Sequence, residues 1–143
     1  MQYRKTPFGY LLVLDRGDEL IRGLIAFARR EDVDAAALYG IGAVSSVELA
    51  FFRLHLNRYE RRTFSEELEA CSIVGNLALL DDEPLPHVHG VFGRPDFSTI
   101  GGHIFEAVVG ITLEISVHTV PTAVVRRPVD YCDLKLMRLE EPR

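Results

Sequence analysis

The chain has 143 residues, 48% of them hydrophobic and 26% charged, which is typical of one soluble globular domain and excludes a disordered or fibrous chain. Sixteen basic residues face 21 acidic ones, so the net charge is −5 with neutral histidine. This balance argues against a stand-alone nucleic-acid binder, because affinity for phosphates comes largely from lysine and arginine.

The first ten residues lack the apolar core of a signal peptide, and no segment is long enough to span a membrane. The cysteines, Cys71 and Cys132, are too few and too far apart for a disulfide framework. We therefore expect a cytoplasmic protein in which both cysteines are small buried apolar groups.

The first predicted elements are a buried strand and a helix. The apolar run at residues 10–14 ends in a turn at Gly17, which is typical of a buried strand. Asp18 is placed to cap a helix whose apolar positions, at 20, 21, 24, 25, 27 and 28, follow the spacing of one helical face. The pattern predicts that this helix runs to about Glu31.

Beyond residue 35 the hydrophobic period becomes that of strands. The segment "AALYGIGAVSSVELAFF" predicts two strands joined by a glycine-rich bend, and further strands are predicted at "CSIVGNLALL", at the segment "PHVHGVF", at "GITLEISVHTV", and at "AVVRR" and "LKLMRL". Ile111, Leu113, Ile115 and Val117 alternate with polar residues and are predicted to share one face. The elements predict a single α+β domain over residues 1–143, with a mainly antiparallel, partly mixed sheet, one long N-terminal helix and short flanking helices.

Three of the five histidines lie within residues 86–107. On a strand, His87 and His89 project from the same face with Cα atoms roughly 6–7 Å apart. His103 follows a turn-rich segment and the pair Gly101-Gly102, whose backbone freedom allows the chain to return beside the first strand. Three imidazoles leave a tetrahedral ion one open position, as in sites where zinc holds water or substrate. The spacing favours a divalent-metal site, most readily for zinc, over a polar strand face, although imidazole also suits iron, nickel and copper.

Other polar residues carry weaker signals. His55 lies in a charged segment and is predicted to face solvent. His118 and Glu114 share the polar face of a late strand. They either hydrogen-bond to the metal ligands, supply a fourth ligand or, in the simplest interpretation, form part of a solvated face. Asp96 is either a base or part of a turn, and Ser98 lacks the sequence context of a nucleophile.

The segments "GYLLVLDRGDELIRGLIAFARREDVDAAALYGIGAVSSVELAFF", "CSIVGNLAL" and "PHVHGVF" with "GGHIFEA" resemble the PPC domain, the plants-and-prokaryotes-conserved domain, in its stand-alone prokaryotic form. The resemblance is strongest over residues 10–120. It implies a compact α/β unit with a mainly antiparallel sheet, assembled as a homotrimer. It also implies that His87, His89 and His103 match positions that resemble a divalent-metal site in prokaryotic members.

In plants this domain follows an AT-hook, a basic arm that enters the minor groove, and prokaryotic members are often described as candidate DNA-binding proteins. Here the Gly-Arg-Pro at residues 93–95 lacks a preceding arginine and is followed by Asp96, so we interpret it as a turn. The basic clusters at residues 58–62 and 126–127 are interpreted as solvated surface. DNA is therefore a disfavoured partner.

The leading interpretation is a PPC-domain protein that binds one divalent metal per chain through its three histidines. The alternative is a metal-dependent enzyme of hydrolase or lyase type, in which a small anionic ligand occupies the open coordination position and Arg94 steers it. A DNA-binding or regulatory scaffold role is the third hypothesis.

Overall fold

Strands dominate the architecture of the computed structural model, which describes residues 1–139. In these residues nine strands accompany one α-helix: β1 Gln2–Thr6, β2 Gly9–Asp15, α1 Leu20–Arg30, β3 Ala36–Arg53, β4 Arg58–Phe64, β5 Leu68–Leu80, β6 Glu83–Gly93, β7 Thr99–Thr119, β8 Val125–Pro128 and β9 Lys135–Arg138. A short 3₁₀ turn, Leu54–Leu56, links β3 to β4. The prediction of a domain built mainly on a sheet is confirmed, and the chain contains one α-helix within the described residues.

The sheet is antiparallel apart from one parallel contact, where Leu79 of β5 pairs with Val125 of β8. The strand order is β1-β2-β7-β3-β5-β8-β9, and β4 pairs with β3. Strand β6 pairs with both β5 and β7, and β3 also pairs with both of these strands. Strands β3, β5, β6 and β7 therefore form a closed hydrogen-bonded ring, in agreement with a mainly antiparallel, partly mixed sheet.

The prediction of a long N-terminal helix with short flanking helices is wrong. The helix α1 has 11 residues and follows two strands, and residues 1–139 contain no second α-helix. The sequence reading also missed β1 and β4, because both are short, polar and largely exposed. The predicted bend at Gly40 and Gly42 is a bulge inside the continuous strand β3.

The start of α1 is capped from another strand and not by Asp18. Its N-cap residue, Glu19, makes no side-chain capping bond, and the Ile21 N–H donates to Glu106 Oε1 of β7 at 2.9 Å. The Asp18 carboxylate instead accepts from the Asp15 N–H and pairs with the terminal ammonium, both at 2.9 Å. A free helical N–H is thus satisfied by a residue distant in sequence.

The core lies between α1 and the inner face of the sheet. Phe27 of the helix is fully buried, and its ring meets those of Tyr3 and Tyr10 edge to face at 5.2 and 5.0 Å. Strands contribute further buried side chains, among them Leu12, Leu14, Leu38, Ile73, Val88, Phe92, Ile104, Leu113, Ile115 and Val117. Burial of these groups provides the main drive for folding.

The alternation predicted for the late strand is confirmed for Leu113, Ile115 and Val117, which are buried. Ile111 is 73% exposed and departs from the prediction. The pairing of β3 with β7 shifts register next to this residue, which turns its side chain outward.

Candidate metal centre

Two neighbouring strands bring the three histidines together. His87 and His89 lie on β6 with fully buried Val88 between them, so both imidazoles project from the face opposite the core. His89 pairs directly with His103 of β7 across the ladder. Directly opposed residues project from the same face of a sheet. The hairpin between β6 and β7 therefore places the three predicted residues in one cluster.

The distances in this cluster fit ligands of one ion. One ring nitrogen of each histidine lies within 4.8 Å of the others. His87 Nε2 and His89 Nε2 are 3.2 Å apart. Zinc–nitrogen bonds of 2.0–2.1 Å at tetrahedral angles require about 3.3 Å between ligand atoms. These two nitrogens already have the separation of adjacent ligands.

Burial prepares two of the three rings, those of His87 and His103, as neutral ligands. It is the main cause that lowers the pKa of His87 to about 4 and the pKa of His103 to about 4, and nearby positive charge adds to the effect. These two rings therefore keep a free lone pair at neutral pH. His103 Nδ1 is buried without a hydrogen-bond partner, which is uncommon for a ring nitrogen unless another group completes the site.

Aromatic side chains surround His103. Tyr59 of β4 stacks on its ring at 5.0 Å, and Phe105 of β7 meets it edge to face at 4.8 Å. The Arg61 guanidinium lies 3.4 Å from the centre of the Phe105 ring. Burial raises the pKa of Tyr59, so this hydroxyl stays protonated at neutral pH. The overlooked strand β4 thus supplies one wall of the site.

Arg126 is the main residue that sequence reasoning missed. It is only 7% exposed, which overturns its interpretation as solvated surface. Its Nη2 lies 2.6 Å from Asn76 Oδ1 and 3.2 Å from His87 Nδ1, and its Nη1 donates to the Lys135 carbonyl at 3.2 Å. The adjacent pair Arg126-Arg127 could have indicated this burial, since in a strand the side chains of two neighbouring residues project to opposite faces and one of them turns inward.

The backbone beneath the histidines is tightly packed. Asn76 pairs with His87 across the β5–β6 ladder, and Gly75 pairs with Val88. A Cβ at Gly75 would lie far inside van der Waals contact of the His87 carbonyl oxygen. Glycine therefore allows β5 to approach β6 closely enough to set the position of His87.

The other sequence candidates lie outside the cluster. His55 is exposed, as predicted. His118 is also exposed, and its ring lies 5.6 Å from that of Tyr39. Asp96 accepts bonds from the Ser98 N–H and hydroxyl, so it stabilises a turn. Within residues 1–139 the three histidines are the only group of side chains close enough together to hold a metal ion, and Glu114 is not part of it.

The Gly-Arg-Pro segment forms the turn of the β6–β7 hairpin, as predicted. The Arg94 N–H donates to the Ser98 carbonyl, and the Phe97 N–H donates to the Arg94 carbonyl. The Arg94 guanidinium pairs with Glu66 at 3.0 Å. Arg94 follows His89 by five residues, or roughly 16 Å of extended strand, so it lies away from the site it was expected to serve.

The cysteines depart from expectation. Both are free thiols, and Cys71 is exposed while Cys132 is half-buried. The prediction that both are buried apolar groups is therefore wrong. No helix in the described part of the chain has the length and apolar character needed to span a bilayer.

Fold and site together define a small sheet-dominated protein with a three-histidine cluster on the outer face of a closed ring of strands. The family model of the Plants and Prokaryotes Conserved (PCC) domain, which describes its sequence pattern, matches residues 1–121. The chain belongs to this family, and the resemblance to the PPC domain is confirmed. No curated protein matches the sequence.

Solved structures of similar proteins share the fold over nearly the whole chain. A candidate DNA-binding protein of Ralstonia eutropha is 29% identical, with a TM-score of 0.90 and 96% of each chain covered. A metal-containing protein of Archaeoglobus fulgidus is 28% identical, with a TM-score of 0.85 and 96% of this chain and 97% of that chain covered. A candidate DNA-binding protein of Bacteroides thetaiotaomicron is 25% identical, with a TM-score of 0.92 and 96% of each chain covered.

Proposed function

We propose that this protein binds one divalent metal ion per chain through His87, His89 and His103. The observation that carries the proposal is the convergence of three ring nitrogens within 4.8 Å, two of them at the separation of adjacent tetrahedral ligands. The similar protein from Archaeoglobus fulgidus is described as metal-containing, which supports it. When bound, a divalent ion would polarise an oxygen ligand at its remaining position.

Zinc is the metal that we propose. A set of three imidazoles disfavours magnesium and calcium, which prefer oxygen ligands. The separation of 3.2 Å between His87 Nε2 and His89 Nε2 suits the short bonds of tetrahedral zinc. The unpartnered His103 Nδ1 also indicates that a further group belongs in the site.

Metal analysis of protein purified without a tag tests this proposal. We expect about one zinc ion per chain in the wild type and a near-complete loss in the double variant His87→Ala/His103→Ala, because one remaining imidazole cannot hold the ion. Plasma spectrometry gives the stoichiometry.

The matched control is the double variant His55→Ala/His118→Ala, which removes two exposed histidines outside the cluster. It should retain the metal of the wild type. One metal ion per chain in the His87/His103 variant would contradict the assignment.

We further propose that the protein forms a homotrimer, as the family resemblance implies. Support comes from the outer face of the sheet, where one row of the ladder joins Leu11, Ser116, Tyr39, Val74 and His89. Three of these side chains are large, apolar and about half exposed. An exposed apolar patch of this kind is typical of a protein interface.

For location we propose the cytoplasm, because both cysteines are unpaired thiols and an exposed thiol such as Cys71 persists best in a reducing compartment. DNA binding, the role in the descriptions of two similar structures, is not our proposal. The net charge of −5 opposes it, and the arginine of the Gly-Arg-Pro turn is held by Glu66.

A further inference from the structure

Arg126 carries a buried positive charge that no acidic side chain neutralises within residues 1–139. Its hydrogen bonds go to a side-chain amide, a backbone carbonyl and an imidazole, and its Nε is buried without a partner. The ion pairs of the described residues involve the terminal ammonium or other arginines. Buried charges are normally paired, so an arginine in this state indicates a missing anion.

The guanidinium of Arg126 contacts the histidine cluster directly, because its Nη2 lies 3.2 Å from His87 Nδ1. A guanidinium only donates hydrogen bonds, so His87 Nδ1 must accept from Arg126 Nη2, and the ring proton lies on Nε2. If His87 instead ligates a metal through Nε2, the neutral ring carries its proton on Nδ1. Two donors cannot bond to each other. Metal ligation by His87 therefore frees one donor of Arg126, an N–H of Nη2, in addition to the Nε that already lacks a partner.

The net charge of the site with a metal ion bound also favours an anionic ligand. Three neutral imidazoles do not offset a divalent cation, and no aspartate or glutamate joins the cluster within the described residues. With the guanidinium nearby, the site holds three positive charges in a partly buried position. Such a site attracts an anion, and the planar fork of arginine matches a carboxylate with two parallel hydrogen bonds.

Space for a small ligand is present on the His89 side of the cluster, whereas Arg126 and Asn76 lie on its His87 side and do not line this pocket. A pocket of about 200 Å³ borders His89 and is lined by Ser72, Val74, His89, Gly90, Val91, Gly101 and Gly102. Three of these residues are glycines, which leave room above the strands. The volume corresponds to roughly six or seven water molecules, which suits a ligand of a few heavy atoms.

We propose that Arg126, together with Asn76 and the open side of the three-histidine site, forms a subsite for a small carboxylate ligand. This inference rests on the proposed metal function. It replaces the expectation that Arg94 attracts an anionic ligand, because Arg94 already pairs with Glu66 and lies at the far end of the strand.

Cobalt-loaded protein tests the subsite, because the visible absorption of cobalt reports on ligands that join the metal. Titration of the wild type with acetate should change this spectrum in a saturable way. Arg126→Gln should weaken acetate binding at least about tenfold, since it removes a charge-assisted contact. Titration with imidazole, a neutral metal ligand, should give the same affinity in both proteins.

Arg94→Gln is the matched control and should bind acetate as the wild type does. Arg126→Lys keeps the charge but loses the planar fork, so we expect an intermediate affinity. If Arg126→Gln does not fold, an unchanged acetate affinity in Arg126→Lys overturns the subsite.

The two proposals fail in different ways. Absence of a cobalt spectrum in the wild type contradicts the metal site, and the subsite falls with it. A normal cobalt spectrum that acetate does not change, or that acetate changes equally in Arg126→Gln, overturns the subsite alone.

Discussion

At the level of single side chains, the proposed metal site consists of three imidazoles on the outer face of the sheet, and the proposed subsite adds one guanidinium. The histidines were predictable because strand alternation and one glycine-containing hairpin determine their positions. The pair Arg126-Arg127 indicated that one arginine turns inward, but the contact of Arg126 with Asn76 was not predictable, because Asn76 lies 50 residues earlier and no local pattern connects them. Local periodicity predicts which residues share a strand face, but not which strands meet.

Burial of two neutral histidines predicts a pH-dependent stability for the metal-free protein. An unfolded histidine has a pKa of about 6.5, whereas burial lowers the pKa of His87 and His103 to about 4. Between these values the unfolded chain binds more protons than the folded one. The contribution of these two histidines to the free energy of unfolding is thus fully present above pH 6.5 and is lost as the pH falls toward 4.

Urea denaturation of the metal-free protein over this range measures the effect. The free energy of unfolding should fall more steeply with decreasing pH in the wild type than in His87→Ala/His103→Ala. The exposed pair His55 and His118 again supplies the control, whose alanine variant should follow the wild type. Parallel curves for all three proteins would show that these rings ionise freely in the folded state.

At the level of elements, long-range contacts decide where helices and strands begin. Asp18 has the right position and chemistry for a cap, yet the terminal ammonium occupies it, and Glu106 bonds to the helix instead. The bend expected at Gly42 became a bulge because β5 and β7 pair with β3 on both sides of it. Sequence alone predicted the existence of these elements better than their ends.

The contact between Glu106 and Ile21 gives an element-level prediction. Glu106→Ala leaves a helical N–H without its partner, so the free energy of unfolding should fall by about 1 kcal/mol. Glu106→Gln keeps an oxygen acceptor and should retain most of this stability. Urea denaturation at neutral pH measures the difference.

Glu114 provides the control for this effect, since it is an exposed acidic residue on the same strand. Glu114→Ala should change stability by only a few tenths of a kcal/mol, as is common for surface positions. Equal losses in the two alanine variants would mean that the cap contributes nothing.

At the level of the whole molecule, the exposed apolar face is the feature that composition could not reveal. The sequence shows alternation along each strand, but the register decides that Tyr39 and Val74 are neighbours. Val74 in turn pairs with His89, so this face borders the histidine cluster. A second chain that covers it would lie next to the proposed metal site.

A charge on this face should disrupt the proposed trimer. Ile41 is 58% exposed on the same strand as Tyr39, and Ile41→Asp would bury a carboxylate in an apolar interface. Light scattering should give three chains for the wild type and fewer for the variant. Leu54→Asp, at an 86% exposed position in the 3₁₀ turn, should leave the mass unchanged.

A monomeric wild type would remove the trimer proposal, and a trimeric Ile41→Asp variant would place the interface elsewhere. Neither result affects the metal assignment, which depends on residues of a single chain.

The long strand β7 also has a consequence for how the protein reaches its native state. Its first residues pair with β6, so His89 meets His103 across a short hairpin. Its last residues pair with the start of β3 and with β2, where Ala36 meets Thr119 and Gly9 meets His118 across most of the chain. Closing such large loops costs more entropy and slows folding. The histidine hairpin can therefore assemble early from near neighbours, whereas completion of the sheet around it is the slow event.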